Sequence, residues 1–145
     1  MGNPPLIVGL LINGAAYAAI FVVVALLVRY FAGAAVWRVL VVATLFVAAG
    51  LYVVFALRAG EGTTWIVIEA VGVAVFGRMW WIVAGWALHP LWDVGLHYLG
   101  PGRPFAPETY TIACLSFDLL VAAYLAIAYG LGRLRGRRSG RGRVA

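Results

Sequence analysis

Charged residues are scarce in this 145-residue sequence, where they make up 11% of the chain while 65% is apolar. A soluble domain typically carries about 25% charged residues. A chain of this length cannot bury so much apolar surface away from water. We therefore exclude a soluble enzyme and a free nucleic-acid-binding protein. The composition predicts an all-α integral membrane protein with one domain.

Lysine is absent as well, so all eleven basic residues are arginine. The one cysteine, Cys114, excludes an internal disulfide and leaves the redox compartment open. Glycine is abundant, with 18 residues. Those inside the apolar runs are expected to permit close contacts between helices, and they include Gly9, Gly14, Gly72, Gly85 and Gly95.

Apolar stretches predict a bundle of five transmembrane helices. The expected spans are residues 5–28, 39–57, 63–77, 79–99 and 107–131, and an Arg-rich cytoplasmic tail, 132–145, is expected to be disordered. The 37 residues of 63–99 would form one helix of about 55 Å, which exceeds the hydrocarbon core of about 30 Å. The alternative is a four-helix bundle, in which 63–87 is one span and 89–107 is a loop.

The arginines favour five helices over four. With five spans and the C-terminus inside, nine of the eleven arginines lie on the cytoplasmic side, and only Arg58 and Arg103 lie outside. Four spans would move Arg29 and Arg38 outside and leave Arg78 within the membrane. The positive-inside rule therefore predicts an outside N-terminus and a cytoplasmic C-terminus. We expect a multi-pass protein of the cell membrane, of the bacterial inner-membrane type.

Five ionisable side chains lie within or near the predicted spans. At mid-membrane such groups cost about 2.5–3.5 kcal/mol each on insertion scales and are functional candidates by default. They can also serve only to link helices through hydrogen bonds. In the five-helix topology all of them, together with Asn13, fall within about 15 Å of the outer boundary. The five are Glu69, His89, Asp93, His97 and Asp118.

His89, Asp93 and His97 recur at steps of four and therefore share one face of a helix. Asp93 can orient either imidazole through a hydrogen bond. The two histidines are separated by about 12 Å along the helix axis, so they cannot both bind one metal ion from a straight helix. Pro90 is expected to kink the helix at this point.

A second polar face lies on the last predicted span, where Tyr110, Cys114 and Asp118 also recur at steps of four. We expect this face to pack against the first one, so that four residues converge: Glu69, His89, Asp93 and Asp118. Such a set suits acid–base chemistry, or a divalent metal such as zinc held by His89, Asp93 and Asp118.

The segment 100–107 reads GPGRPFAP and is expected to form a rigid outer turn above these residues. It could act as a lid in which Arg103 holds an anionic head group. Further residues expected to bind substrate are Asn13, Trp92, His97 and Tyr110.

Several short motifs follow one another in a fixed order between residues 85 and 118. A G-W-x-x-H-x-x-W-D-x-x-x-H block at 85–97 is followed by P-F-x-P at 104–107 and C-x-x-x-D at 114–118. This order resembles an uncharacterised family of small bacterial membrane proteins, over about residues 85–125. The resemblance implies that these residues form one site, and it implies no particular activity. A single histidine, His97, stands where the family pattern has a His-His pair.

Three functions are compatible with these patterns. The first is an intramembrane enzyme that acts on a lipid or isoprenoid-like substrate from the outer leaflet, by hydrolysis, isomerisation or cyclisation. The second is a structural or assembly subunit of a membrane complex. The third is a proton- or ion-coupled transporter, which is disfavoured because the polar groups stop in the outer half of the membrane. Membrane lipid is the expected partner, and the sequence also permits a homo-oligomer. Binding to nucleic acid is not expected.

Overall fold

A computed structural model describes residues 4–60, 79–99 and 107–141, and this part of the chain is helical without strands. The helices are α1 (Pro4–Phe31), α2 (Gly33–Arg58), α3 (Met79–Tyr98) and α4 (Glu108–Arg141). The all-α prediction is confirmed. The predicted span 63–77 lies outside the described residues, so the choice between four and five helices stays a prediction.

Three stretches are long and apolar enough to cross a membrane: Pro4–Phe31, Gly33–Arg58 and Glu108–Gly132. Helix α3 has 20 residues, enough for about 30 Å of rise, but it falls outside this group. The reason is its polar face, which carries two histidines and an aspartate. These polar groups turn inward, since Asp93 is 0% exposed and His97 is 4% exposed.

The outer surface of the described helices is apolar. Ile12, Val39 and Ile127 are each more than 60% exposed, at 62%, 67% and 63%, whereas Asp93 and Asp118 are fully buried. This distribution reverses that of a soluble protein and suits a lipid environment. The composition and the placement of polar groups therefore agree on a membrane protein.

Helices α1 and α2 form a hairpin that is tighter than expected. The sequence predicts a connection over residues 29–38, but both helices continue into it and only Ala32 separates them. The segment is free of proline and carries several alanines, so it can remain helical. Gly33 adopts a φ of +89° at the turn, a conformation that glycine reaches without a steric penalty.

Helix α4 also differs from the prediction, because it continues to Arg141. A disordered tail was expected from residue 132 onwards. Residues 132–141 contain no proline, and arginine and leucine are good helix formers. The last span can therefore extend as one helix beyond the hydrocarbon core.

The closest approach between helices occurs where α1 crosses α4. A Cβ atom added at Gly14 would run into the carbonyl oxygen of Ala113 and the Oγ of Ser116. The Ser116 hydroxyl also donates a hydrogen bond of 2.8 Å to the carbonyl oxygen of Leu11. A glycine and a serine thus bring the two backbones together, which is typical of packing between transmembrane helices.

An aromatic trio joins three of the helices in the core. Phe21 of α1, Trp86 of α3 and Phe117 of α4 have ring centroids 5.8–6.1 Å apart. Trp86 is fully buried, and tilted or edge-on rings at these distances attract one another. The trio fixes α3 against α4 next to the polar side chains described below.

We predict that Gly14→Ala destabilises the bundle, by about 1–3 kcal/mol, as expected for overpacking a tight contact. The change is measured as a shift in the free energy of unfolding in mixed detergent micelles. Gly9→Ala on the same helix is the matched control, since a Cβ there would meet no described atom within 4 Å. Equal effects of the two substitutions would contradict the α1–α4 contact.

Candidate active site

The site is built on a hydrogen bond between α3 and α4. The Nδ1 atom of His89 lies 2.8 Å from Oδ2 of Asp118. Asp93 follows one helical turn after His89, and its Oδ1 lies 3.7 Å from the other ring nitrogen, Nε2. The imidazole therefore stands between two carboxylates, one from its own helix and one from its neighbour. We call these three residues the His–Asp cluster.

The His–Asp cluster is almost completely shielded. The side chains of Asp93 and Asp118 are 0% and 1% exposed, and that of His89 is 9% exposed. One ligand atom from each residue lies within 4.8 Å of the others. Charge in such surroundings is costly unless it is paired or hydrogen-bonded, so the imidazole and the carboxylates must compensate one another.

The local sequence explains how α3 presents this face. Residues four apart lie on the same side of a helix, which places Asp93 beside His89. The helix is uninterrupted from Met79 to Tyr98 although Pro90 is inside it, so the spacing of four is preserved. Trp86 precedes His89 by three residues and anchors the same face in the aromatic trio.

Cys114 and Tyr110 extend the polar face of α4 toward α2. The thiol of Cys114 lies near both Tyr110 and Asp93. The Tyr110 hydroxyl donates a hydrogen bond of 3.2 Å to the carbonyl oxygen of Ala48, and its ring packs 5.3 Å from that of Phe55. Tyr110 therefore connects α4 to α2 beside the cluster.

The other expected binding residues do not join the cluster. His97 is buried at 4% exposure with its ring 4.8 Å from that of Tyr98, but it is two helical turns from His89. Trp92 is 41% exposed, and Asn13 lies exposed on α1. Two further candidates, Glu69 and Arg103, lie outside the described residues.

Some residues at the site were not anticipated as contributors. Phe21 and Phe117 complete the aromatic trio, and Ser116 fixes α1 beside the polar face of α4. Trp86 could have been identified from the sequence, because its spacing of three from His89 places it on the same helix face. The position of Phe21 could not have been identified, since its helix has no distinct polar face that would set its rotation.

The arrangement of His89 suits proton transfer. When Asp118 is ionised, Nδ1–H donates to it and the Nε2 lone pair is left to accept a proton. The carboxylate then holds the ring in one tautomer and orientation, which is how an acid–base histidine is typically positioned. Asp118 Oδ1 is buried and makes no hydrogen bond to the described residues, so it can accept one from a ligand or from water.

Together, the fold and the site define a polytopic α-helical membrane protein with a histidine and two carboxylates buried between two helices. The chain belongs to a family of unknown function, DUF6010, whose model matches residues 9–131. The match includes every member of the His–Asp cluster, and the expectation of an uncharacterised family is confirmed. No curated protein shows significant similarity to the chain, and no solved structure does.

We predict that His89 and Asp118 are energetically coupled. A double-mutant cycle of His89→Ala and Asp118→Ala should give a coupling free energy of about 0.6–1.7 kcal/mol, the range of side-chain hydrogen bonds between membrane helices. The free energy of unfolding in mixed micelles is the measured quantity. His97→Ala with Asp118→Ala is the control cycle, and its coupling should be near zero. Equal coupling in both cycles would argue against the hydrogen bond.

Proposed function

We propose that this protein is an intramembrane enzyme that transfers a proton to or from a lipid or isoprenoid-like substrate. The observation that carries the proposal is the buried imidazole of His89, held at 2.8 Å by Asp118 with Asp93 at 3.7 Å from its other nitrogen. Ionisable residues inside a membrane are expensive and default to functional roles. The transporter and assembly roles lack a comparable observation in the described residues.

In this proposal His89 is the acid–base group. Asp118 accepts a hydrogen bond from Nδ1–H and so directs the basic lone pair of Nε2 away from itself. Nε2 takes a proton from a substrate hydroxyl, from an acidic C–H group or from a water molecule. The imidazolium that forms is stabilised by both carboxylates, Asp118 and Asp93, in a shielded site where such interactions are strong.

The surroundings favour an amphiphilic substrate. The exterior of the described helices is apolar, so a molecule dissolved in the membrane can reach the helix surface without crossing water. Asp118 is ten residues from the start of α4 at Glu108, about 15 Å of helix rise. In the topology favoured by the arginines this end of the bundle would face outward, and the proposed reaction would take place in the outer half of the membrane.

The reaction belongs to the types that need a proton shuttle, namely hydrolysis, isomerisation or cyclisation. The same residues also fit a divalent cation such as zinc, because their ligand atoms lie within 4.8 Å of one another. A histidine that ligates a metal commonly donates its other N–H to a carboxylate. His89 and Asp93 would supply ligand atoms, and Asp118 would either supply a third or orient the imidazole through Nδ1–H.

The test compares the lipids of membranes from cells that produce the wild-type protein or single variants. His89→Gln, Asp93→Asn and Asp118→Asn are expected to slow a lipid conversion that the wild type produces, the His89 variant by about 10²–10⁴-fold. Glu108→Gln is the matched control, because this exposed carboxylate bonds only to Tyr98 among the contacts described. Mass spectrometry of the lipid extracts gives the conversion.

Two results would separate the alternatives. Wild-type and variant membranes with the same lipid composition, at equal protein levels, would contradict the enzyme proposal. Loss of conversion in a chelator, restored by zinc, would favour the metal-assisted form over direct acid–base chemistry by the imidazole.

A further inference from the structure

A second polar feature lies at the opposite end of the bundle, where the α1–α2 hairpin turns beside α3 and α4. A cavity of about 230 Å³ opens there. It is lined by two arginines, Arg29 and Arg38, and by Trp37 and Tyr129. Its volume corresponds to several water molecules at about 30 Å³ each, so a small polar ligand fits.

One of the arginines is positioned by the core. The guanidinium of Arg29 lies 5.0 Å from the centre of the Trp37 ring, within the range of a cation–π contact. Trp37 is only 4% exposed, and its Nε1–H donates a hydrogen bond of 3.2 Å to the hydroxyl of Tyr124. The cation is thus held over a fixed aromatic surface at the cavity.

The charge at this end is not balanced by acids in the described part of the chain. The described acidic residues are Asp93, Glu108 and Asp118, and none of them lines the cavity. The ion pairs among described residues involve His89 only. Arg29 and Arg38 therefore face the cavity without a carboxylate partner from these residues.

The start of α2 adds backbone donors next to the cavity. Its N-cap residue, Ala32, makes no side-chain capping hydrogen bond, and the first turn carries no acidic residue. Ala34 in that turn lines the cavity. The backbone N–H groups of this first turn receive no side-chain cap and can donate hydrogen bonds to a bound anion.

We propose that this cavity binds a phosphate group, either the phosphodiester of an anionic phospholipid or a free phosphate ion. Arginine forks and helix N-termini are both suited to phosphate oxygens. Helices α1 and α2, with 28 and 26 residues, exceed the hydrocarbon thickness of about 30 Å. Their hairpin turn therefore lies at the depth of the lipid phosphates.

This site is independent of the proposed proton transfer. The cavity reaches Gly132 on α4, which is about 21 Å along the helix axis from Asp118. A phospholipid bound there would anchor the hairpin to the head-group region, and a failure of either proposal leaves the other standing.

The experiment measures phosphate binding to the full-length protein in a zwitterionic detergent. Native mass spectrometry counts phosphatidylglycerol retained against phosphatidylcholine, and thermal unfolding compares inorganic phosphate with chloride at equal ionic strength. The wild type should retain one phosphatidylglycerol. Arg29→Gln and Arg38→Gln should each weaken retention about tenfold, as for the loss of a charge-assisted hydrogen bond. Arg58→Gln removes the same charge from the exposed far end of α2 and should have no effect.

A second variant separates binding from folding. Ala34→Glu places a carboxylate in the first turn of α2, where acidic residues stabilise a helix, so the melting temperature should stay equal or rise. The same carboxylate should occupy the cavity and abolish phosphate binding. Binding of phosphatidylglycerol without stabilisation by inorganic phosphate identifies a lipid head group as the ligand. Thermal stabilisation by inorganic phosphate that depends equally on Arg29 and Arg38 identifies the free ion.

Three results would overturn the proposal. One is the absence of binding to either probe in the wild type. Another is wild-type affinity in the Ala34→Glu variant or in the combined Arg29 and Arg38 variant. The third is an equal loss of affinity in Arg58→Gln, which would show a general effect of net charge rather than a site.

Discussion

The hydrogen bond between His89 and Asp118 is the constraint on which the arrangement of the bundle depends. A carboxylate facing lipid would lack a partner, so α3 and α4 must join their polar faces. That single requirement fixes the rotation of both helices about their axes. It turns the apolar sides of α3 outward, while the spacing of four within α3 leaves Asp93 at 3.7 Å from the same imidazole. The aromatic trio and the Gly14 contact then secure α1 against the same pair of helices.

The His–Asp cluster and the two arginines Arg29 and Arg38 occupy two regions at different levels of the bundle. The carboxylates and the imidazole lie within the bundle, shielded from lipid, and they suit chemistry on a proton. The arginines Arg29 and Arg38 lie where α1 meets α2, and they suit contact with phosphate. The aromatic trio of Phe21, Trp86 and Phe117 lies between the two regions. With both proposals, one small bundle would combine a proton-transferring interior with an end that binds phosphate.

Much of this arrangement follows from the sequence, because spacing of four along a helix is a strong signal. It placed His89 beside Asp93 and Cys114 beside Asp118, and the structure brings the two faces together. The rotation of α1 could not be predicted, since a helix that is apolar all round has no preferred face. Asn13 was expected to bind substrate, but it lies exposed on α1. Gly14 makes the expected close contact, whereas a Cβ at Gly9 or Gly95 would meet no described atom.

The measurement that tests this account most directly is the protonation of the His89 ring nitrogens, read from ¹⁵N chemical shifts of histidine-labelled protein in a membrane mimetic. The chain has two histidines, so His97→Gln assigns the signals. We predict that His89 carries its proton on Nδ1 and that Asp118→Ala removes this preference. A neutral ring with its proton on Nε2, unchanged by Asp118→Ala, would contradict the hydrogen bond around which the site is built.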